Sequence, residues 1–347
     1  MSPQRRNDGE QVPGTNFLGH LLNIAAGHKR IIVIGQIDTG KSTLIKNMAD
    51  HMDAYVLDAD IGQNDIGPPA VVSLGERTKG RYRMIDGYFC GSTSPSGHFL
   101  QMMAGISRML SQCNGRPVLI NTTGLATGEI GRVIKTEKIN AIRPDLIIGL
   151  ETGNELRYLD TFARAGATVV KFRPHPMVTS RSRIERDRLR EANFRAHFQS
   201  AVSSSHRLDS TGVERSLLCN GEPREVTLPS EPAGTEVVHA EVSGDEALVI
   251  FKDSTGDLGK TATSLDVGMI HYCNVADFNG TLVGLVGLKG NLLGLGIIAS
   301  VDFSEGEILI FSRVERFSVL QFGSMKLDAI KFSTAGPFRL QAYRHKH

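Results

Sequence analysis

Between Arg30 and Phe172, short β-branched runs alternate with longer stretches of helical spacing. The runs Ile31–Ile34, Tyr55–Leu57, Val118–Ile120, Leu146–Leu150 and Thr168–Phe172 read as strands. Such alternation predicts an α/β fold, a parallel sheet flanked by helices. In an open sheet of this kind ligands bind beyond the carboxyl ends of the strands, so the residues just after each run are the place to look for chemistry. From Pro174 to His197 the chain is arginine-rich with helical character, and the serine-rich stretch Ser200–Ser205 reads as a linker or exposed turn. After Pro232 the texture changes. Glu236–Val242, Ala247–Phe251, Leu282–Leu288, Gly294–Ser300 and Ile308–Phe311 are short apolar segments separated by Gly, Asp and Asn. They predict a smaller β-rich domain over 230–347, behind an α/β domain over 17–229 whose arginine-rich part spans about 174–200. The most apolar stretch, Thr281 to Val301, is interrupted by Lys289, Gly290 and Asn291, which suits a β-hairpin better than a membrane span.

Composition narrows this picture only in part. Across 347 residues, 39 basic and 37 acidic side chains leave a net charge of +2, so any contact with a nucleic acid must come from local clustering. Cys90, Cys113, Cys219 and Cys273 are scattered without a close pair, which argues against a zinc site or a disulfide framework and suits a reducing compartment. Residues 1–16 are polar and lack the apolar centre of a signal peptide, so they read as a flexible tail. The expectation is a cytoplasmic protein with no membrane association.

Gly35-Gln36-Ile37-Asp38-Thr39-Gly40-Lys41-Ser42-Thr43 satisfies G-x-x-x-x-G-K-[ST], with a strand before it and a helical run after it. The glycines let the backbone curl so that its N–H groups and the helix N-terminus face a triphosphate. Lys41 then reaches the β- and γ-phosphates, Ser42 ligates Mg²⁺ and Thr43 meets the α-phosphate. Gly35, Gln36, Asp38, Thr39 and Gly40 complete the cradle for ATP or another nucleoside triphosphate. The next strand ends in Asp58-Ala59-Asp60-Ile61-Gly62-Gln63, which sets two carboxylates beside that loop. One carboxylate can orient Mg²⁺ while the other accepts the proton of an attacking hydroxyl. Asp60 is the expected base, and Asp58 and Gln63 join Ser42 on the metal side.

In Arg181-Ser182-Arg183-Ile184-Glu185-Arg186-Asp187-Arg188-Leu189-Arg190, Ser182 and Glu185 form a candidate capping box. A helix starting there puts Arg183, Arg186 and Arg190 on one face. Their guanidinium groups stay charged and can fork onto phosphate oxygens.

These blocks together resemble the polynucleotide 5′-hydroxyl kinase family of RNA processing. The likeness runs from Gly35 to Phe198. It is carried by the Asp38-containing phosphate loop, by Asp58-x-Asp60-x-Gly62-Gln63, by Gly91-Ser92-Thr93-Ser94-Pro95, by Asn121-Thr122-Thr123-Gly124-Leu125-Ala126-Thr127-Gly128, and by the arginine segment, which is similar to the family's lid. Gly287-Leu288, Leu293–Ile298 and Val301-Asp302-Phe303 also resemble the carboxy-terminal β-domain of the family's archaeal and ribosomal-RNA-processing members. The resemblance implies Mg²⁺-dependent transfer of a γ-phosphate to the 5′-hydroxyl of RNA or DNA, single-stranded or duplex, with RNA-processing proteins as further partners. It assigns Arg181 and Arg186 to the transferring phosphoryl and Arg190 to the nucleotide, and it brings Thr93, Ser94, Thr123 and Leu125 to the acceptor. Members that clamp an RNA end carry a tryptophan where this chain has Leu125, and the chain has no tryptophan, which implies a differently built clamp. The alternative is a nucleotide-gated assembly factor of RNA processing with weak catalysis. A small-molecule kinase or GTPase is a third reading, and the chain shows no N-K-x-D motif to support it.

Overall fold

The structure is a computed structural model that describes residues 17–226, 236–253 and 265–344; the amino-terminal tail expected over 1–16 lies outside them. The chain divides into two compact units, one ending at Arg186 and the other beginning at Asp187. The sequence had suggested a boundary near residue 230.

The first unit contains α1 (Phe17–Ala25), β1 (Arg30–Gly35), α2 (Lys41–Ala49), β2 (Tyr55–Ala59), β3 (Val71–Thr78), β4 (Arg81–Phe89), α3 (Phe99–Leu110), β5 (Val118–Thr122), α4 (Gly128–Ile142), β6 (Leu146–Leu150), α5 (Asp160–Arg164) and β7 (Thr168–Phe172). Helix α6 (Arg183–His197) crosses the division. The seven strands form one sheet in the order β4-β3-β2-β5-β1-β6-β7. β1, β2, β5, β6 and β7 are parallel, and all five lie on runs read as strands from the sequence. Two apolar layers hold the sheet between its helices. Ile32, Ile34, Leu57 and Ile120 face Met102, Ile106 and Ile139, whereas Ile31, Val33 and Leu119 face Leu21, Ile45 and Met48.

The parallel strands expected from the sequence carry an addition at one edge of the sheet. β3 and β4 form an antiparallel hairpin on its edge, closed by the two-residue loop Lys79-Gly80 between the paired residues Thr78 and Arg81. Both loop residues have positive φ, 51° and 76°, the backbone twist that matches a two-residue hairpin.

The second unit is built from strands β8 (Val202–Arg207), β9 (Gly212–Glu214), β10 (Glu222–Pro223), β11 (Val237–Ser243), β12 (Glu246–Phe251), β13 (Met269–Asn274), β14 (Thr281–Val286), β15 (Leu292–Asp302), β16 (Glu307–Ser312), β17 (Val319–Leu327), β18 (Thr334–Pro337) and β19 (Gln341–Arg344). They form two sheets, β10-β11-β12-β13-β19 and β18-β17-β14-β15-β16-β8, with β9 alongside β17. The apolar stretch after Thr281 is the antiparallel hairpin β14–β15. The serine run read as a linker is strand β8, an edge strand that pairs with β16 from Val202 opposite Ser312 to Arg207 opposite Glu307.

Candidate active site

The phosphate loop lies between β1 and α2, at the carboxyl edge of the sheet. Gly40 caps α2 in the left-handed region at φ 87°, and Asp38 also has positive φ, 56°, so the backbone curls as the motif requires. A Cβ on Gly35 would lie 2.9 Å from the Leu150 carbonyl, so only glycine lets the loop seat against the end of β6. The Thr39 hydroxyl donates to the Gln36 carbonyl at 3.0 Å, and Lys41 Nζ donates to the same oxygen at 2.6 Å. Burial pulls the Lys41 ammonium down to about 8, against the carboxylates of Asp60 and Asp38, which raise it. An incoming triphosphate would supply the negative charge this lysine lacks.

Asp58 and Asp60 end β2 with different surroundings. Asp58 is 1% exposed, and its Oδ1 accepts from the Asp60 amide at 3.0 Å and from Asn121 Nδ2 at 3.0 Å, while its Oδ2 accepts from the Asp65 amide at 2.8 Å. Burial first, and then the neighbouring Asp60 charge, push its carboxyl up to about 7 against the hydrogen bonds from the Asp65 and Asp60 amides. Asn121 Nδ2 also reaches Ser42 Oγ at 3.3 Å, so one amide joins the Asp58 carboxylate to the Ser42 hydroxyl. Two hard oxygen donors thus converge beside the phosphate loop. That donor set fits Mg²⁺, which binds through one or two carboxylates together with substrate phosphates and water. Asp60 is less buried; its Oδ1 accepts from the Gly62 and Gln63 amides at 3.1 and 3.2 Å in an Asx turn.

The start of the arginine segment closes on the phosphate loop through Asp38. The Arg181 amide donates to Asp38 Oδ2 at 2.9 Å, and Arg186 Nη1 reaches the same oxygen at 3.3 Å while also donating to the Arg181 carbonyl. The expected capping box is present: Ser182 N donates to Glu185 Oε2 at 2.6 Å and Glu185 N to Ser182 Oγ at 3.2 Å. Gln63, expected on the metal side, instead commits its amide nitrogen to the Gly62 and Arg186 carbonyls at 3.0 and 3.1 Å and so ties the Asp60 turn to the lid. Arg190 pairs with Asp187 one turn earlier on α6, in the second unit.

The two remaining motifs border the same edge. A Cβ on Gly62 would lie 3.1 Å from the Thr93 carbonyl, which places the Gly91–Pro95 segment against the Asp60 turn, and the Ser94 amide donates to Ser92 Oγ at 3.1 Å. A Cβ on Gly124 would lie 2.7 Å from the Ile37 amide nitrogen, so the loop after β5 rests on the phosphate loop. Leu125 is 40% exposed at its crest. Thr123, expected beside the acceptor, is only 4% exposed and turns inward, its carbonyl and hydroxyl both accepting from Lys135 Nζ. Sequence reasoning gave Asn121 no role of its own, and it missed Lys135 altogether. The signal for Lys135 was its place on the stripe Gly131, Ile134, Lys138 and Ile142 of α4, all buried in the structure.

A largely parallel sheet with a phosphate loop after β1, carboxylates at the end of β2 one strand away across β5, and an arginine lid over that loop defines a P-loop phosphotransferase fold. The family described as the mRNA cleavage and polyadenylation factor CLP1 P-loop matches residues 35–200. The polyribonucleotide 5′-hydroxyl-kinase of Pyrococcus furiosus is 30% identical over 316 residues, covering 86% of this chain and 87% of that protein. The protein of the same name from Methanocaldococcus jannaschii is 24% identical over 319 residues, covering 86% and 87%. The chain belongs to this family of polyribonucleotide 5′-hydroxyl-kinases with a CLP1-type P-loop. Its fold is similar to Clp1p as solved in a complex with Pcf11p, with a TM-score of 0.60 at 10% identity over 90% of this chain and 79% of that one.

Proposed function

We propose that this protein transfers the γ-phosphate of ATP to the 5′-hydroxyl of a polyribonucleotide. The observation that carries the reading is the convergence of four groups on one phosphate cradle: Lys41 at its base, Asp58 with Ser42 on one side, Asp60 at the mouth, and Arg186 held over it by Asp38. Lys41 and the backbone of Gly35–Thr43 hold the triphosphate. Ser42 and Asp58 would hold Mg²⁺, which when bound neutralises charge between the terminal phosphates. Asp60 accepts the proton as the 5′-oxygen forms its bond to phosphorus and the β–γ bridging bond breaks. Arg186, released from Asp38, and Arg181 neutralise the transferring phosphoryl. Thr93, Ser94 and Leu125 border the acceptor, while Gln63 and Thr123 hold the turn and the loop that shape it.

The test is label transfer from γ-labelled ATP to single-stranded and duplex RNA and DNA, each with a 5′-hydroxyl and each with and without Mg²⁺. RNA is expected to be labelled, Lys41→Ala to lose both nucleotide binding and transfer, and Asp60→Ala to bind nucleotide without transfer. A folded wild-type protein that retains ATP and labels no acceptor would refute the reading. The exposed aliphatic side chain at Leu125 favours a second reading, a nucleotide-gated factor of RNA-processing assemblies, and that outcome is what it predicts.

A further inference from the structure

Helix α4 carries two lysines in the interior of the first unit. Lys135 is 0% and Lys138 1% exposed, and among the described residues neither has a carboxylate partner. Buried ammonium groups are costly, so a lysine kept in such a place needs an account beyond packing. For Lys135 the geometry provides one. Its Nζ lies 2.5 Å from the Thr123 carbonyl and 3.3 Å from the Thr123 hydroxyl, so one nitrogen grips both polar groups of the first residue after β5. Four residues earlier on the helix, Gly131 lets α4 lie close beneath the same loop: a Cβ there would sit 3.2 Å from the Ala126 backbone. The Tyr158 hydroxyl donates to the Ala126 carbonyl at 3.2 Å from the flank. On the opposite side Gly124 rests on Ile37 of the phosphate loop. The segment Thr123–Ala126 is therefore held from below by α4 and from the side by the phosphate loop, and Leu125 is its exposed residue.

We infer that Lys135 is a positioning residue for the acceptor: its two bonds to Thr123 fix the height of the loop that presents Leu125, and through it the approach of the 5′ end to the phosphate cradle. The inference rests on the kinase reading above, because it assigns Leu125 to the acceptor. Nζ donates whether or not it is charged, so the grip does not require an ammonium. Burial, followed by the nearby Lys138 and Lys41 charges, pushes this lysine well below its ordinary range, in keeping with a group that serves as a donor rather than a counter-ion.

A purely structural lysine and a positioning one differ in what their loss does to the two substrates. In steady-state transfer assays Lys135→Met, which keeps length and removes the donor, should raise the acceptor KM about tenfold, and Thr123→Val, which removes one of the two bonds, about threefold. The dissociation constant for ATP should stay within about twofold of wild type in both, because the phosphate cradle is untouched. Thr123→Val also carries the test if Lys135→Met does not fold. A wild-type protein that labels no acceptor sinks the kinase reading and this inference with it. A wild-type protein that labels RNA, with variants whose acceptor KM is unchanged or whose ATP binding weakens in step with it, sinks the inference alone.

Discussion

Arg186 meets Asp38 through a single nitrogen at 3.3 Å and is about one-quarter exposed, an arrangement loose enough to exchange one carboxylate oxygen for a phosphoryl oxygen. A lysine there would keep the charge but lose the planar fork, and the two side chains are not equivalent on a transferring phosphoryl. Arg186→Lys should therefore lower kcat by about 10³-fold while the ATP KM moves little, since the lost contact strengthens only in the transition state. Steady-state kinetics check this, and a matching rise in ATP KM would place the arginine on the ground-state nucleotide instead. Leu125 offers the opposite experiment, a gain. At 40% exposure it offers aliphatic surface where the proposed acceptor would approach, whereas stacking a base on an aromatic ring contributes roughly 1–3 kcal/mol. Leu125→Trp should lower the acceptor KM by about tenfold, and an unchanged KM would show that no base rests on this position.

The five parallel strands were legible because each is a short run dominated by apolar, mostly β-branched residues, with Lys171 the one charge inside β7, and the phosphate loop, the carboxylate pair and the capping box were legible because each is contiguous in the chain. What escaped has a common physical cause. In β4, Arg81 and Arg83 alternate with Tyr82 and Met84 on an edge strand whose burial also alternates, and Asp86 breaks the apolar run, so the segment resembles an exposed loop. In β8 the serines are visible as a strand only through their pairing with β16. Interior lysines escape for the converse reason: the sequence shows charge, and only the packing of α4 shows burial. Lys138 makes the cost measurable. Its Nζ has no hydrogen-bonding partner among the described residues, and burial pulls its pKa down to about 8, against Asp60, Cys90 and Asp58, which raise it. Unfolded, this lysine titrates near 10.5, so between pH 8 and 10.5 the unfolded chain holds a proton the native state has released. Stability from this group therefore rises with pH through that window, and below pH 8 its full penalty persists. Lys138→Met should raise the unfolding midpoint at pH 7, by at most about 3 kcal/mol in stability, and the gain should shrink as the pH climbs from 8 towards 10. Thermal unfolding of both proteins across that range decides it; a destabilised variant would show that the lysine has a partner, and a gain independent of pH would show that its charge carries no penalty.

At the scale of the whole chain, electrostatics limit how the acceptor is found. With 39 basic and 37 acidic side chains the protein has no general field to gather a polyanion. Lys41 and Arg186, cations placed at the cradle, would on the proposed reading be occupied by the phosphates of ATP. An acceptor with a free 5′-hydroxyl brings no terminal phosphate of its own, so recognition should depend on the end nucleotide and very few internucleotide phosphates. Each phosphate neutralised on a single strand contributes about −0.7 to the slope of log affinity against log salt, so two or three contacts predict a slope of about −2. A groove tracking ten phosphates would give about −7. The acceptor KM should therefore rise only modestly between low and physiological salt, and an oligonucleotide of about four residues should serve nearly as well as one of about twenty. Measuring KM against potassium chloride for both lengths tests the two statements together. A steep slope that appears only with the longer strand would reveal a basic track along the surface, and end recognition at the cradle would then be only part of how this kinase selects its acceptor.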